Sequence, residues 1–154
     1  MLLRSSHRYA NFLRPIPLFS SCDDAQLDRI ASLGTRVGVE AGQLVVNEGA
    51  YGHDFYVVLS GRAEVRRGDQ HIASIEAGGW FGELSVLDGE RRDASVVMRT
   101  NGELFVIGRR DFAALIDTVP TVTRRLLVGM ARRLHAADTA SLSEADLEIP
   151  EPRR

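Results

Sequence analysis

The chain has 154 residues and a mass of 17.0 kDa, with 44% of its residues hydrophobic and 26% charged, figures that fit one globular domain. Its formal net charge of −2 comes from residues 141–154, where Glu144, Asp146, Glu148 and Glu151 face Arg153 and Arg154; the remaining 17 acids and 17 arginines balance, which argues against a nucleic-acid surface. A single cysteine, Cys22, excludes a disulfide framework or a four-cysteine zinc site, the absence of lysine excludes a P-loop or Schiff-base lysine, and no stretch approaches the ~18 consecutive apolar residues of a membrane span.

The opening MLLRSSHRYANFLRP scatters its arginines and has no apolar run of signal-peptide length, so no export leader is expected and a cytoplasmic location is. Residues 1–18 read as a helical lead. In SCDDAQLDRIASLG, Ser21 or Cys22 stands at the expected helix start, two aspartates occupy the first turn, and Gly34 closes it. Leu27, Ile30, Ala31 and Leu33 recur there at helical spacing. From about residue 35 to 108 the pattern changes to short apolar runs: TRVGV, QLVV, DFYVVL, AEV, IASI, ASVVM and ELFVIG. Turn signals separate them at Ala41-Gly42, Glu48-Gly49, Ser60-Gly61, Gly68-Asp69, Gly78-Gly79 and Asn101-Gly102. Asn101-Gly102 is the strongest hairpin signal among these. Seven or eight strands with no crossover helix between them predict a mainly β fold with flanking helices. The expected architecture is a β-roll or jelly roll, a double-stranded β-helix.

Residues 109–116 then predict a short helix, and Pro120 opens a longer one to about Ala140. Its apolar stripe is Val122, Leu126, Val128 or Gly129, Met130, Leu134 and Ala137. The pairs Arg124-Arg125 and Arg132-Arg133 are expected on a solvated edge. After Ala140 the composition turns polar and acidic, with Pro150 and Pro152, and predicts a flexible tail over 141–154. The expected organisation is thus a lead (1–18), one domain (19–140) and the tail. The residues after Ala140 are too few for a helix-turn-helix, so no specific DNA binding is expected.

One segment breaks the strand pattern: GGWFGELSVLDGERRDASVV, residues 78–97. After two glycines and an aromatic pair, Gly82-Glu83-Leu84-Ser85-Val86-Leu87 predicts a single helical turn within a β region. Unpaired N–H groups at its start would face an anion, and Gly82 would let the backbone approach closely. Glu83 is placed to accept from a hydroxyl, and Arg92 to supply a forked cation for two oxygens. An anion beside a hydroxyl describes a sugar phosphate. Trp80 and Phe81 are expected in the core, and Cys22 as a buried thiol. The four histidines His7, His53, His71 and His135 form no close-spaced pair, and no Gly-x-Ser-x-Gly elbow is present. Neither a metal nor an enzymatic reaction is expected.

Residues 19–138, about four-fifths of the chain, resemble the cyclic nucleotide-binding domain family, which includes the catabolite activator protein and the regulatory subunits of cyclic-AMP-dependent kinase. Two motifs carry the resemblance: VVNEGAYGHDFYVVLSG (45–61), with Gly49, Gly52 and Gly61, and the phosphate-binding cassette FGELSVLDGERRDASV (81–96). The resemblance implies that Glu83 accepts from the ribose 2′-hydroxyl. It implies that Gly82 and the backbone near Leu84 and Ser85 line ribose and phosphate, that Arg92 pairs with the cyclic phosphate, and that the backbone of Ala94 donates to it. It also implies a lid or dimer role for the long C-terminal helix, with Arg133 or His135 over the base and a possible homodimer through that helix. Asp93 departs from the family's Ser or Thr; it adds a negative charge beside the phosphate and is placed to pair with Arg92. Cyclic GMP binders of the family often carry Thr there, so cyclic AMP is the expected ligand ahead of cyclic GMP. The alternative is a degenerate domain that keeps the fold as a dimerisation or interaction module.

Overall fold

The structure is a computed structural model that describes residues 10–147, with side chains as far as residue 138. Residues 1–9 of the expected lead lie outside the described residues. Of the rest, Ala10 is α-helical and the residues after it are not. Asn11–Leu13 forms a 3-10 turn, and a second turn spans Pro17–Phe19, just across the lead's end. Pro15 and Pro17 lack the N–H groups a continuous helix needs, and Ile16, before Pro17, is extended, whereas Arg14, before Pro15, keeps helical backbone. Leu13, Ile16, Leu18 and Phe19 are nevertheless buried.

Helix α1 spans Asp24–Ser32. Its N-cap is Asp23, neither Ser21 nor Cys22. Asp23 Oδ1 accepts from the Gln26 N–H (2.8 Å) and the Asp23 N–H donates to Gln26 Oε1 (2.9 Å), a reciprocal capping box. Gly34 is needed for space and begins a strand. A Cβ there would come within 2.5 Å of the Phe105 ring and 2.8 Å of the Val106 carbonyl oxygen.

Eight strands follow: β1 Gly34–Val39, β2 Leu44–Val46, β3 Asp54–Ser60, β4 Ala63–Arg67, β5 Gln70–Ile75, β6 Trp80–Phe81, β7 Ser95–Met98 and β8 Gly102–Gly108. They form two antiparallel sheets of four strands, ordered β1-β8-β3-β6 and β2-β7-β4-β5. This is the expected jelly roll. The expected hairpin at Asn101-Gly102 is absent, because β7 and β8 belong to different sheets. Asn101 instead accepts the Ala41 N–H through Oδ1 (2.8 Å), and a Cβ on Gly102 would lie 2.2 Å from the Ser60 carbonyl oxygen. The pair serves a crossing between layers. The tight hairpin is at Gly68-Asp69, where Arg67 pairs with Gln70 and Gly68 has a φ of +60°.

The sheet containing β3 and β8 buries both faces. On one side Phe55, Val57, Phe105 and Ile107 pack against α1 and the C-terminal helices, with Phe19, Leu27, Ile30, Phe112, Leu115 and Val122. On the other, Val58 and Leu104 meet Val46, Phe81, Val96 and Met98 between the sheets. Helix α2 is Glu83–Asp88, α3 is Arg109–Thr118 and α4 is Pro120–Leu147. Helix α4 runs past the expected stop at Ala140. SLSEADL, residues 141–147, contains no breaker, and the described helix continues through it. Residues 148–154 of the expected tail lie outside the described residues.

The stripe of α4 is buried only in its first half. Val122 and Leu126 are in the core, whereas Val128 and Leu134 are exposed, as is Leu127. Two of its four arginines also leave the expected solvated edge. Arg125 donates to the Pro17 carbonyl and to the hydroxyls of Ser20 and Ser21, clamping α4 to the N-terminal turns. Arg133 turns to the site described next. Among the described residues no helix is long and apolar enough to cross a membrane.

Candidate ligand-binding site

Helix α2 is bracketed by two glycines in left-handed backbone, Gly82 (φ +92°) and Gly89 (φ +71°). Gly82 could not be replaced without cost, since a Cβ there would lie 2.8 Å from the Asp54 carbonyl oxygen and 2.9 Å from Arg92 Nη1. Arg92 is the centre of this arrangement. It is 7% exposed, and its guanidinium donates to the carbonyl oxygens of Gly82 (Nη1, 2.9 Å) and Asp54 (Nη2, 2.8 Å). Its main chain is held as well: its N–H donates to Ala50 O (2.7 Å), and its O accepts from the Gly49 N–H (2.8 Å). The guanidinium lies flat on Gly52, where a Cβ would fall 1.8 Å from Arg92 Nε. Gly52 and Gly82, far apart in sequence, thus leave room for one side chain, and Gly49 holds its main chain. Among the described residues no carboxylate is within ion-pair distance of Arg92.

Arg92 forms part of the wall of a cavity of about 270 Å³, together with Val45, Val46, Tyr51, Gly52 and Tyr56. Tyr56 stacks on Phe81 with ring centroids 4.8 Å apart, and burial, with Asp54 adding to it, pushes its hydroxyl above the ordinary tyrosine range. At the rim, Arg91 lies over the Tyr51 ring at 5.1 Å.

Glu83 faces elsewhere. It is 6% exposed and accepts from Arg133 Nη1 of α4 through Oε1 (3.0 Å). It borders a separate apolar cavity of about 110 Å³ with Leu87, Phe112, Leu126 and Met130. Burial pushes its carboxyl above the ordinary range; Arg133 pulls it back, and the negative charge of Asp93 adds to the rise. Arg133 also donates to the Trp80 carbonyl oxygen and lies 3.9 Å over the Trp80 ring. One turn earlier, a Cβ on Gly129 would come within 2.5 Å of that ring. Trp80 and Phe81 are buried, as expected, and Trp80 is also the seat on which α4 rests.

The structure therefore brings Gly82 and Arg92 together, and Glu83 with Arg133. Ser85 is buried, Leu84 is 45% exposed, and Ala94 is half-buried. His135 is exposed and lines neither cavity. Asp93 does not pair with Arg92. The backbone bends at Asp93 and Ala94, and Asp93 is exposed, its Oδ2 lying 3.8 Å from Arg67 Nη2. Gly52, the Asp54 carbonyl, Tyr56 and Arg67 were not singled out as site residues from the sequence. Gly52 lay within the first motif and carried a signal; Arg67 carried none, because its partner is 26 positions away.

The chain is thus an antiparallel β-roll that buries a guanidinium beside a cavity, with a C-terminal helix docked on the adjoining cassette. The family model described as the cyclic nucleotide-binding domain matches residues 36–119, more than half of the chain, and the chain belongs to that family. The regulatory subunit of cAMP-dependent protein kinase from Aspergillus fumigatus is 36% identical over 119 residues, which are 76% of this chain and 29% of that protein. The corresponding subunit from Hypocrea atroviridis is 31% identical over 117 residues, 76% of this chain and 25% of that one. The chain thus spans about a quarter to a third of the length of these relatives. Among solved structures, the catabolite activator protein of Thermus thermophilus matches with a TM-score of 0.73 and 34% identity, over 85% of this chain and 62% of that one. The regulatory subunit of a cAMP-independent protein kinase A from Trypanosoma brucei matches in fold, with a TM-score of 0.76 at 24% identity over 90% of this chain and 50% of that one.

Proposed function

We propose that this chain is a cytoplasmic, non-catalytic ligand sensor that binds a cyclic nucleotide, cyclic AMP in preference to cyclic GMP, with the phosphate on Arg92. The observation that carries this reading is a guanidinium only 7% exposed, bordering a cavity and held by two carbonyl oxygens without a carboxylate among the described residues. A buried cation costs several kcal/mol of desolvation unless an anion offsets it. A cyclic phosphate carries one negative charge and two free oxygens, which suit a fork of N–H donors. The similarity to regulatory subunits of cAMP-dependent protein kinase supports the same ligand class. The preference for adenine rests on Asp93, which stands where the family's cyclic GMP binders carry Thr and whose carboxylate is drawn to Arg67.

In this reading the nucleotide's ribose hydroxyl competes with Arg133 for Glu83. Ligand binding exchanges an ion pair on α4 for a hydrogen bond to sugar, which couples the pocket to the docking of α4 as a shift between two populations. Calorimetric titration of wild type, Arg92→Ala and Asp93→Ser with both nucleotides tests it. Arg92→Ala is expected to weaken cyclic AMP binding about a hundredfold, as for removal of one partner of a buried charge pair. Asp93→Ser is expected to bind equally well or more tightly. A folded wild-type protein that takes up neither nucleotide at millimolar concentration overturns the proposal.

The exposed leucines of α4 favour a second reading, a dimerisation module that needs no nucleotide. Leu127 and Leu134, seven positions apart on one face, are 60% and 63% exposed. Here Leu134→Glu would convert a dimer to a monomer in light scattering, while Arg92→Ala would change nothing.

A further inference from the structure

The departure at Asp93 leads to a partner outside the cassette. Arg67, the last residue of β4, donates through Nε to the Asp93 carbonyl oxygen (3.2 Å), and its Nη2 lies 3.8 Å from Asp93 Oδ2. The corner it belongs to is anchored from the other side as well. The Gly68 N–H donates to Glu48 Oε2 (3.0 Å), and the Glu48 N–H donates to Ser95 Oγ (2.9 Å). The β4–β5 turn is therefore tied both to the segment before Gly49, whose N–H donates to the Arg92 carbonyl oxygen, and to the segment after Arg92. Of the neighbouring charges, Arg91 lies over Tyr51, Glu48 is bound to the Gly68 amide, and Glu83, paired with Arg133, feels the Asp93 charge.

A carboxylate directly after the phosphate-binding arginine repels the ligand and competes for that arginine. We propose that Arg67 is a positioning residue of the ligand site that acts through Asp93. It holds the carboxylate turned away from Arg92 and offsets its charge, so that a monoanionic phosphate is admitted beside it. The inference rests on the nucleotide-binding function proposed above. Both side chains are more than half exposed, at 56% and 68%, so the effect is modest and sensitive to salt.

A double-mutant cycle on the full chain tests it, with cyclic AMP as the titrant and wild type, Arg67→Ala, Arg67→Lys, Asp93→Ser and Arg67→Ala/Asp93→Ser as the proteins. At low salt Arg67→Ala should weaken binding roughly three- to fivefold, the range of an exposed ion pair. The loss should fall below about twofold when Asp93→Ser is already present, or in about 1 M salt, where the screening length is ~3 Å. Arg67→Lys should retain most of the affinity. An equal loss with and without Asp93→Ser would mean that Arg67 touches the ligand itself, and would overturn the proposal. So would unchanged affinity in Arg67→Ala, including the case in which only its unfolding midpoint moves. Arg92→Ala serves as the control: if it binds cyclic AMP as wild type does, or if neither binds, the nucleotide-binding reading fails and this inference falls with it.

Discussion

Glu83 stands under opposing demands. Burial disfavours its charge, and Arg133 favours it; burial wins, and the carboxyl rests above its ordinary 4.5. The folded protein then holds a proton that the unfolded chain has released. Stability therefore falls as pH rises from about 4.5 through the raised folded value. Glu83→Gln removes this dependence, and urea unfolding of the two proteins between pH 4.5 and 7 should show wild type losing stability relative to the variant as pH increases. Glu64 works in the opposite sense. The hydrogen bond from Arg99, with His71 adding to it, holds its carboxyl down at about 2, so its contribution is present above 4.5 and is lost as pH falls toward 2. The two windows do not overlap. Arg92 and Glu83 stood out from the cassette's spacing, and both are buried in the fold, but on separate cavities. The pairing of Asp93 with Arg67 was not legible, because the two are 26 positions apart and meet only where β4 passes the bend at Asp93.

Helix α4 is held to the roll by features that local preference opposes. A glycine inside a helix costs about 1 kcal/mol relative to alanine. Gly129 is nevertheless where α4 meets Trp80, and its missing Cβ leaves room for the indole, with Arg133 over the same ring. The usual sign should reverse here: Gly129→Ala is expected to destabilise the fold by about 1–3 kcal/mol, as overpacking does. Trp80 is the only tryptophan, so its emission should shift toward that of an exposed indole as α4 lifts, and chemical unfolding gives the energy. An increase in stability with unchanged emission would contradict the seat. The Asn101-Gly102 pair teaches a related point about strands. Its composition announces a two-residue hairpin, yet the neighbouring strands enter different sheets, and the glycine is required by the Ser60 carbonyl pressed against it.

The molecule as a unit rests on one sheet with two buried faces. Phe55 and Val57 face the helices, while Val58 and Phe81 face the second sheet, so β3 links the two cores. The site uses both sides of this link: Arg92 is anchored at Asp54 where β3 begins, and Glu83 is latched to α4. A ligand at Arg92 is then linked to global unfolding. Cyclic AMP at about 100 times its dissociation constant should add ~2.7 kcal/mol, which for a chain of this size moves the melting midpoint by roughly 5–10 °C. Scanning calorimetry on wild type and Arg92→Ala checks this, and the variant should show no such rise.

The strand and helix periods, the turn glycines and the cassette spacing were sufficient for the architecture and singled out Arg92, which the fold buries. Each of these depends on residues near one another in the chain, whose preferences act locally. The layering of β7 and β8, the docking of Arg133 on Glu83 and Trp80, the unburied second half of the α4 stripe and the Arg67–Asp93 contact came only with the folded chain. Those contacts join segments tens of residues apart, and which side chains meet there follows from how the two sheets and α4 close on one another, a consequence of packing that no local pattern encodes.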